Sequence, residues 1–313
     1  MSRNLITLAK DGMRTDLERI WRLCFDDPPE YAKYFFDFRY NPNACAVYID
    51  EAAGRPVAML HMLDASITED SEIVPVQYIY AAATRPDFQG RGIMRQLLEF
   101  ARQYAIIKQQ RYMILVPGSR ELFRFYEKRG YYRCFKVRNV YMTESELRAL
   151  AGEDNVRRGS RSTGKVAQSS ILTQSDIHAV RRDMLADREG FVTWNYQAVK
   201  YAADVHKHLG GGIITATDGV DAGYAFCRQE GADKVVVSEL ICSDGYQKEI
   251  IRQILREYHC KQYEFRLPVY DELFAPFGEV SDYGMIAAVH GRKPVGLLTL
   301  SGIHQPYLGL ALD

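Results

Sequence analysis

The sequence predicts an α/β protein made of two domains of similar layout. Three observations carry that expectation. The chain has 313 residues, more than one domain usually holds, so two domains are the default. Its apolar patterning reads as strands interleaved with helices rather than as either alone. The order of elements in the first half is helices, a hairpin, a third strand, a helix, a strand, a helix and a strand. That order recurs in the second half at an offset of roughly 150 to 160 residues.

The first half begins with helical periodicity near Asp11 that runs through Leu17, Ile20, Trp21 and Cys24. A second helical pattern, rich in aromatics, covers residues 30–39. Residues 44–50 and 56–67 read as strands joined by a turn at Gly54, and 74–84 as the next strand. A Gly-containing turn leads into a helix over 93–108, whose Ile93, Leu97, Leu98, Ala101 and Ala105 keep the spacing of one buried face. Residues 112–116, bounded by Pro117-Gly118, form a short apolar run expected as a buried strand. Ser119 is placed to cap the helix that carries Tyr126, and Gly130 to end it. Residues 131–142 give one or two closing strands.

A polar stretch rich in Arg, Gly and Ser follows, and residues 151–170 are expected as a linker or exposed loop. The second half then reads as helices near 174–188 and 194–208, strands over 212–217, 222–228 and 234–243, and a helix over 246–258. A strand over 262–267, a short helix over 270–274 and a last strand over 283–289 complete it.

Composition excludes several classes of function. Lys plus Arg and Asp plus Glu number 40 each, so no net charge draws the chain to nucleic acid or an acidic membrane. The six cysteines (Cys24, Cys45, Cys134, Cys227, Cys242 and Cys260) form no C-x-x-C pair, so no metal site is expected. They read as small core residues in a reducing compartment. His206 and His208 lie two apart and point to different sides of a helix, a poor metal geometry. With no signal peptide and no apolar run of membrane-spanning length, the expected location is the cytoplasm.

The chemistry concentrates in Gln89-Gly90-Arg91-Gly92-Ile93-Met94, between a strand and a helix start. A helix N-terminus binds phosphates because its first N–H groups have no intrahelical partner and its macrodipole is positive there. Glycines let the backbone approach closely at positive φ. Arg91 and Arg95 add charge at the rim. Some thirty residues on comes Phe125-Tyr126-Glu127-Lys128-Arg129-Gly130-Tyr131.

Together these two segments resemble the Gcn5-related N-acetyltransferase (GNAT) superfamily, whose co-substrate is acetyl-coenzyme A. Its loop pattern is Gln/Arg-x-x-Gly-x-Gly/Ala; Gln89 and Gly92 match, and Met94 stands at the last position. The resemblance implies two GNAT-like domains, each a mixed, mostly antiparallel sheet flanked by helices. Residues 1–150 form the one with the acetyl-CoA site. Residues 171–313 form a degenerate one, since its matching loop, Cys242-Ser243-Asp244-Gly245-Tyr246-Gln247, is shorter and brings an acid. Tandem GNAT layouts resemble the enhanced-intracellular-survival type of acetyltransferase, though this chain is too short for that type's sterol-carrier-like third domain.

The resemblance also implies site residues. Ala82, Ala83 and Thr84, at the end of the strand before the loop, would pair with the pantetheine arm. Gln89, Gly90, Arg91, Gly92, Ile93, Met94, Arg95 and Ser119 would complete the cofactor-binding set. Acetyl would pass directly from the thioester to an amine. A backbone N–H near Ala82 would hold the oxyanion and Tyr126 would protonate the leaving thiolate. Many relatives keep a glutamate base on the strand before the loop, but here that strand holds Tyr78 and Tyr80 and no carboxylate. The candidate bases are therefore His61, on the neighbouring strand, and Asp313, by analogy with the terminal carboxylate of the survival type. Glu239 occupies the corresponding strand of the second half.

The first two helices would wall the acceptor site with Trp21, Phe25, Asp26, Asp27, Glu30, Tyr34, Phe35 and Phe36. Acids beside aromatics suit a cationic amine, and an amphipathic stripe facing the core has the same pattern. The expected activity is N-acetylation of a primary amine on a small-molecule or peptide acceptor. An acyl-CoA-binding module without turnover, or an acyltransferase with another donor, are the alternatives.

Overall fold

The computed structural model of the protein describes residues 5–153 and 172–310. In chain order the elements are β1 (Leu5–Leu8), α1 (Arg14–Cys24), α2 (Pro29–Phe38), β2 (Cys45–Asp50), β3 (Arg55–Glu69), β4 (Glu72–Thr84), α3 (Ile93–Ile107), β5 (Tyr112–Leu115) and α4 (Arg120–Glu127). Then come β6 (Tyr132–Thr143), α5 (Glu144–Ala151), α6 (Gln174–Leu185), β7 (Val192–Thr193), α7 (Tyr196–His208), β8 (Gly212–Thr217), β9 (Ala222–Glu230) and β10 (Lys234–Cys242). The chain continues through α8 (Gln247–Glu257), β11 (Gln262–Leu267), β12 (Glu279–Ala288) and α9 (Val295–Thr299).

Two compact units result, and neither is continuous in sequence. The first comprises residues 1–134 and 283–299, the second residues 135–282 and 300–313. A simple cut near residue 150 therefore does not separate them. Most of the expected 151–170 linker lies outside the described residues.

The first unit has a sheet ordered β1-β2-β3-β4-β5-β12, antiparallel throughout except for the parallel β4–β5 pair. Its last strand arrives only after most of the second unit, with Met285 opposite Leu115 and Ala288 opposite Tyr112. The second unit is ordered β6-β11-β10-β9-β8, again with one parallel pair, β10–β11. Its strand β6 is delivered from the end of the first half. Both units are thus mixed, mostly antiparallel sheets flanked by helices.

Alternation along β3 shows how the first core is divided. Leu60 and Met62 pack in one cluster with Ile93, Leu97, Leu98 and Ala101 of α3 and with Met285 and Ala287 of β12. Between them, His61 faces the other way, against the rings of Trp21 and Phe35 from α1 and α2. Period two in the strand and three-to-four in the helix are enough to place both layers. In the second unit α8 plays the part of α3, with Ile250, Ile251, Ile254 and Leu255 against Val235, Val237 and Tyr263.

Several elements depart from the sequence expectation. Strand β1 is only four residues long and half exposed, too short to show a period. Helix α5 begins on a reciprocal capping box, in which Thr143 and Glu146 satisfy each other's backbone N–H groups. Residues 270–274, expected as a short helix, form turns in which Asp271 accepts from the Phe274 N–H at 3.2 Å. No described helix is long and apolar enough to cross a membrane, and no described cluster of His, Cys, Asp or Glu has the makings of a metal site.

Candidate active site

The site is built by a disagreement between two neighbouring strands. Parallel pairing of β4 with β5 runs from Val76–Tyr112 to Tyr78–Ile114 and then stops, although β4 continues to Thr84 on its other partner, β3. Beyond Tyr78, β4 therefore shows an unpaired edge. The cause lies partly in a β-bulge. Met59 faces Ala83 and His61 faces Tyr80, so β4 carries one residue more than β3 over this stretch. Ala81 sits in it at φ +47°, a left-handed conformation that is strained for a residue with a side chain. Nothing in the sequence singles out Ala81, because alanine has no preference for that conformation.

Past Thr84 the chain makes a short 3-10 turn (Pro86–Phe88) and enters the loop. Gly90 and Gly92 both have φ near +75°, and Gly92 is the N-cap of α3. A Cβ on either would meet nothing within 4 Å, so glycine is required by conformation and not by crowding. Among the described residues, no backbone acceptor is found for the N–H groups of Gly90 through Arg95. The Gln89 side chain donates to the Thr84 carbonyl, which fastens the loop to the strand end. Arg91 donates to the Asp87 carbonyl at 2.8 Å and stacks over Phe88, whose ring also underlies Arg85. Met94 is half-buried and packs against the α3 core cluster.

Arg95 does more than line a rim. It shares a cavity of about 490 Å³ with Arg102, Lys128 and Arg129, next to Met113 and Tyr131. Arg102 is anchored there by the carbonyls of Ala288, Val289 and Arg129. The Arg129 guanidinium lies 3.4 Å from the centre of the Phe125 ring. Lys128 and Arg129 flank the end of α4, so proximity in sequence to Tyr126 was the available signal for them.

Tyr126 is buried in the same core, with its ring edge-on to Phe125 at 5.1 Å and to Tyr131 at 5.5 Å. Burial pushes its phenol up to about 12, against a smaller opposing pull from Arg129. Ser119 is the N-cap residue of α4 by position, although its side chain makes no capping hydrogen bond. The Thr84 hydroxyl oxygen is buried at the mouth of the unpaired edge without a partner among the described residues.

The candidate bases are placed unevenly. His61 is 1% exposed and enclosed by the rings of Trp21, Phe35, Phe36 and Tyr40. Desolvation drives its pKa down to about 3, so the imidazole is neutral, and its Nε2 has no partner among the described residues. This is the geometry of a structural histidine. Asp313 lies outside the described residues. The aromatic wall closes rather than opens: Trp21, Phe35 and Phe36 are buried, while Asp26, Asp27 and Glu30 face solvent. Asp27 accepts from the Trp21 indole at 2.8 Å. What reaches the unpaired stretch of β4 is a tyrosine pair: the hydroxyls of Tyr31 and Tyr80 lie 2.5 Å apart, and Tyr78 stacks on Tyr80.

This arrangement of splayed strand, Gly loop and helix start coincides with a family assignment. The family model for the acetyltransferase (GNAT) domain matches residues 6–134. Residues 6–134 are thus similar to a GNAT domain. The likeness of fold extends across both units. A GCN5-related N-acetyltransferase from Anabaena variabilis ATCC 29413 superposes with a TM-score of 0.68 at 13% identity, covering 92% of this chain and 73% of that one. A GCN5-related N-acetyltransferase from Kribbella flavida gives 0.66 at 13%, covering 91% and 71%. Eis1 from Mycobacterium abscessus gives 0.65 at 12%, covering 92% and 74%. At such identities the likeness is one of fold. No curated protein matches the sequence.

The GNAT domain has a structural echo in the second unit. Strand β10 also carries an extra residue, between Val237 and Glu239, and its parallel pairing with β11 also stops short, at Val237–Phe265. The connection onward is four residues, Ser243 to Tyr246, where the GNAT domain uses eight, Arg85 to Gly92.

Proposed function

We propose that the GNAT domain is an acetyl-CoA-dependent N-acetyltransferase that passes an acetyl group directly to a primary amine of a small-molecule or peptide acceptor. The observation that carries this reading is the coincidence of an unpaired strand edge with a donor-rich helix start. The edge at Ala82–Thr84 suits an amide-bearing arm added like a strand, and the Thr84 hydroxyl gives it one more partner. The N–H groups from Gly90 to Arg95 suit the pyrophosphate. The basic cavity of Arg95, Arg102, Lys128 and Arg129 suits a further phosphate. Bound there, acetyl-CoA supplies an activated thioester.

The chain's own residues then divide the work. The N–H after the Ala81 bulge donates to the oxyanion. The acceptor nitrogen forms the new amide as the carbon–sulfur bond breaks; one proton leaves the amine and one goes to the thiolate. A lysine-like amine near pH 7.4 is about 4 kcal/mol from its neutral form. With no carboxylate on β4 from Ile73 to Thr84 and His61 enclosed, that proton leaves through water ordered by the Tyr31–Tyr80 hydroxyls. A phenol near 12 surrenders its proton to a thiolate near 8.5 only about 5 kcal/mol uphill. The Tyr126 hydroxyl therefore serves as a hydrogen-bond donor to the developing thiolate.

Calorimetry with acetyl-CoA tests the reading. Gly92→Asp combines strain at φ +75° with charge repulsion and is expected to lower affinity at least about tenfold. Undiminished binding would overturn the loop assignment. A second reading, acyl-CoA binding without turnover, draws support from the enclosure of His61. Thiol release in the presence of an amine panel separates the two.

A further inference from the structure

The second unit keeps a cleft where β10 parts from β11, and its chemistry has been changed. The cleft has a volume of about 530 Å³, a size that suits a small ligand. One wall is the stretch Leu240–Cys242, which pairs with β9 on one side and has no strand on the other, because pairing with β11 ends at Val237. A free strand edge in an open cleft is a template for an added strand.

Charge narrows the choice. Asp244, with its side chain 99% exposed, stands where the GNAT domain keeps its Gly loop, and it opposes any phosphate. Asp271 and Glu272 line the same cleft. Of the two cations there, Arg188 is already engaged: its guanidinium lies 3.9 Å from the Tyr270 ring centre and 3.8 Å from Asp244. Lys248 also lines the cleft, so its three carboxylates outnumber its two cations.

The unit also holds no free catalytic carboxylate at this strand. Glu239 accepts from Tyr224 at 2.9 Å and Tyr307 at 3.1 Å and pairs with the buried Arg181 at 3.5 Å. The C-terminal segment presses so closely on it that a Cβ at Gly309 would collide with the Glu239 carboxylate. The cleft is therefore built to hold a ligand rather than to transform one.

We propose that this cleft binds a short extended peptide by strand addition along Leu240–Cys242, with a lysine or arginine side chain seated by the exposed carboxylates of Asp244 and Glu272. Three residues of edge span about 10 Å, enough for a tripeptide core.

Hydrogen exchange on the full chain, read by mass spectrometry, tests this without relying on activity. The probes are two capped tripeptide mixtures, acetyl-Xaa-Lys-Xaa-amide and acetyl-Xaa-Glu-Xaa-amide, and 4′-phosphopantetheine, each at about 1 mM. The lysine mixture is expected to slow exchange over residues 239–243 about fivefold or more, and the glutamate mixture much less. The double variant Asp244→Lys, Glu272→Lys alters two exposed side chains and is expected to remove the preference for lysine while leaving exchange elsewhere unchanged. No slowing with either peptide mixture, or slowing by 4′-phosphopantetheine alone, would overturn the proposal. Equal slowing by both mixtures would overturn its charge selectivity.

Discussion

Gln89 donates from Nε2 to the carbonyl of Thr84 over 3.0 Å, across the span between the end of β4 and the start of the loop. The same carbonyl accepts the Cys24 thiol at 3.3 Å, so one oxygen holds together α1, β4 and the loop. Neither contact touches the helix start directly. Both set where its free N–H groups stand.

Loss of that fastening should be felt in affinity before chemistry. Gln89→Ala removes one hydrogen bond worth about 1 kcal/mol, so the acetyl-CoA Kd is expected to rise about 3- to 10-fold. Turnover at saturating acetyl-CoA should stay within about twofold. Calorimetry and steady-state kinetics check the split; an unchanged Kd would show that the loop holds its shape without Gln89.

Tyr126 should behave in the opposite way. Tyr126→Phe keeps the ring contacts with Phe125 and Tyr131 and removes only the hydroxyl. With the hydroxyl donating to the leaving sulfur, turnover is expected to fall at least about tenfold with little change in Kd. An unaltered rate constant would leave Tyr126 as a packing residue.

His61 predicts an acid limit on stability. Its folded pKa, about 3, lies below the ordinary 6.5, so between those values the unfolded chain takes up a proton that the folded chain refuses. Stability therefore falls as pH drops through 6.5 towards 3 and is unaffected by this group above 6.5. From pH 7.5 to 5.5 the loss is on the order of 1 kcal/mol. Urea midpoints of wild type and His61→Phe across that range should show a shallower acid decline in the variant. Parallel declines would mean that the imidazole is not enclosed.

The buried pair in the second unit should be sensitive to half-removal. Arg181 also donates to the Val192 and Leu308 carbonyls, so Glu239→Gln would leave its guanidinium without a counter-charge but still tethered. A loss of about 3–5 kcal/mol is expected, and a smaller one for Arg181→Met combined with Glu239→Leu. Thermal denaturation of the two variants decides; a single variant as stable as the double would refute the coupling.

How much of this was legible in the chain differs by residue. The turn at Gly90 and Gly92 was readable because glycine marks a positive-φ bend before a helix start, and α3 because Ile93, Leu97, Leu98 and Ala101 repeat along one face. Met94 departs from the Gly/Ala of the loop pattern, and its side chain packs with the α3 core. Ala81 was invisible, since its strain arises from the register between β3 and β4 and not from its own preference. His61 was misjudged in the other direction: a histidine's ordinary pKa invites a catalytic role, and only packing reveals the cage around it. The destinations of β6 and β12 could not be read either, because local propensity specifies a strand but not its neighbour.

That exchange of closing strands has a consequence for biosynthesis. On the ribosome, the first unit lacks the edge partner of β5 until residues 285–288 have emerged, long after its other strands. The nascent domain must wait with β5 uncovered while residues 135–282 of the second unit are made. A truncation that removes the C-terminal portion would thus strike the first unit, and dividing the gene at its apparent midpoint would yield two halves that each lack a strand.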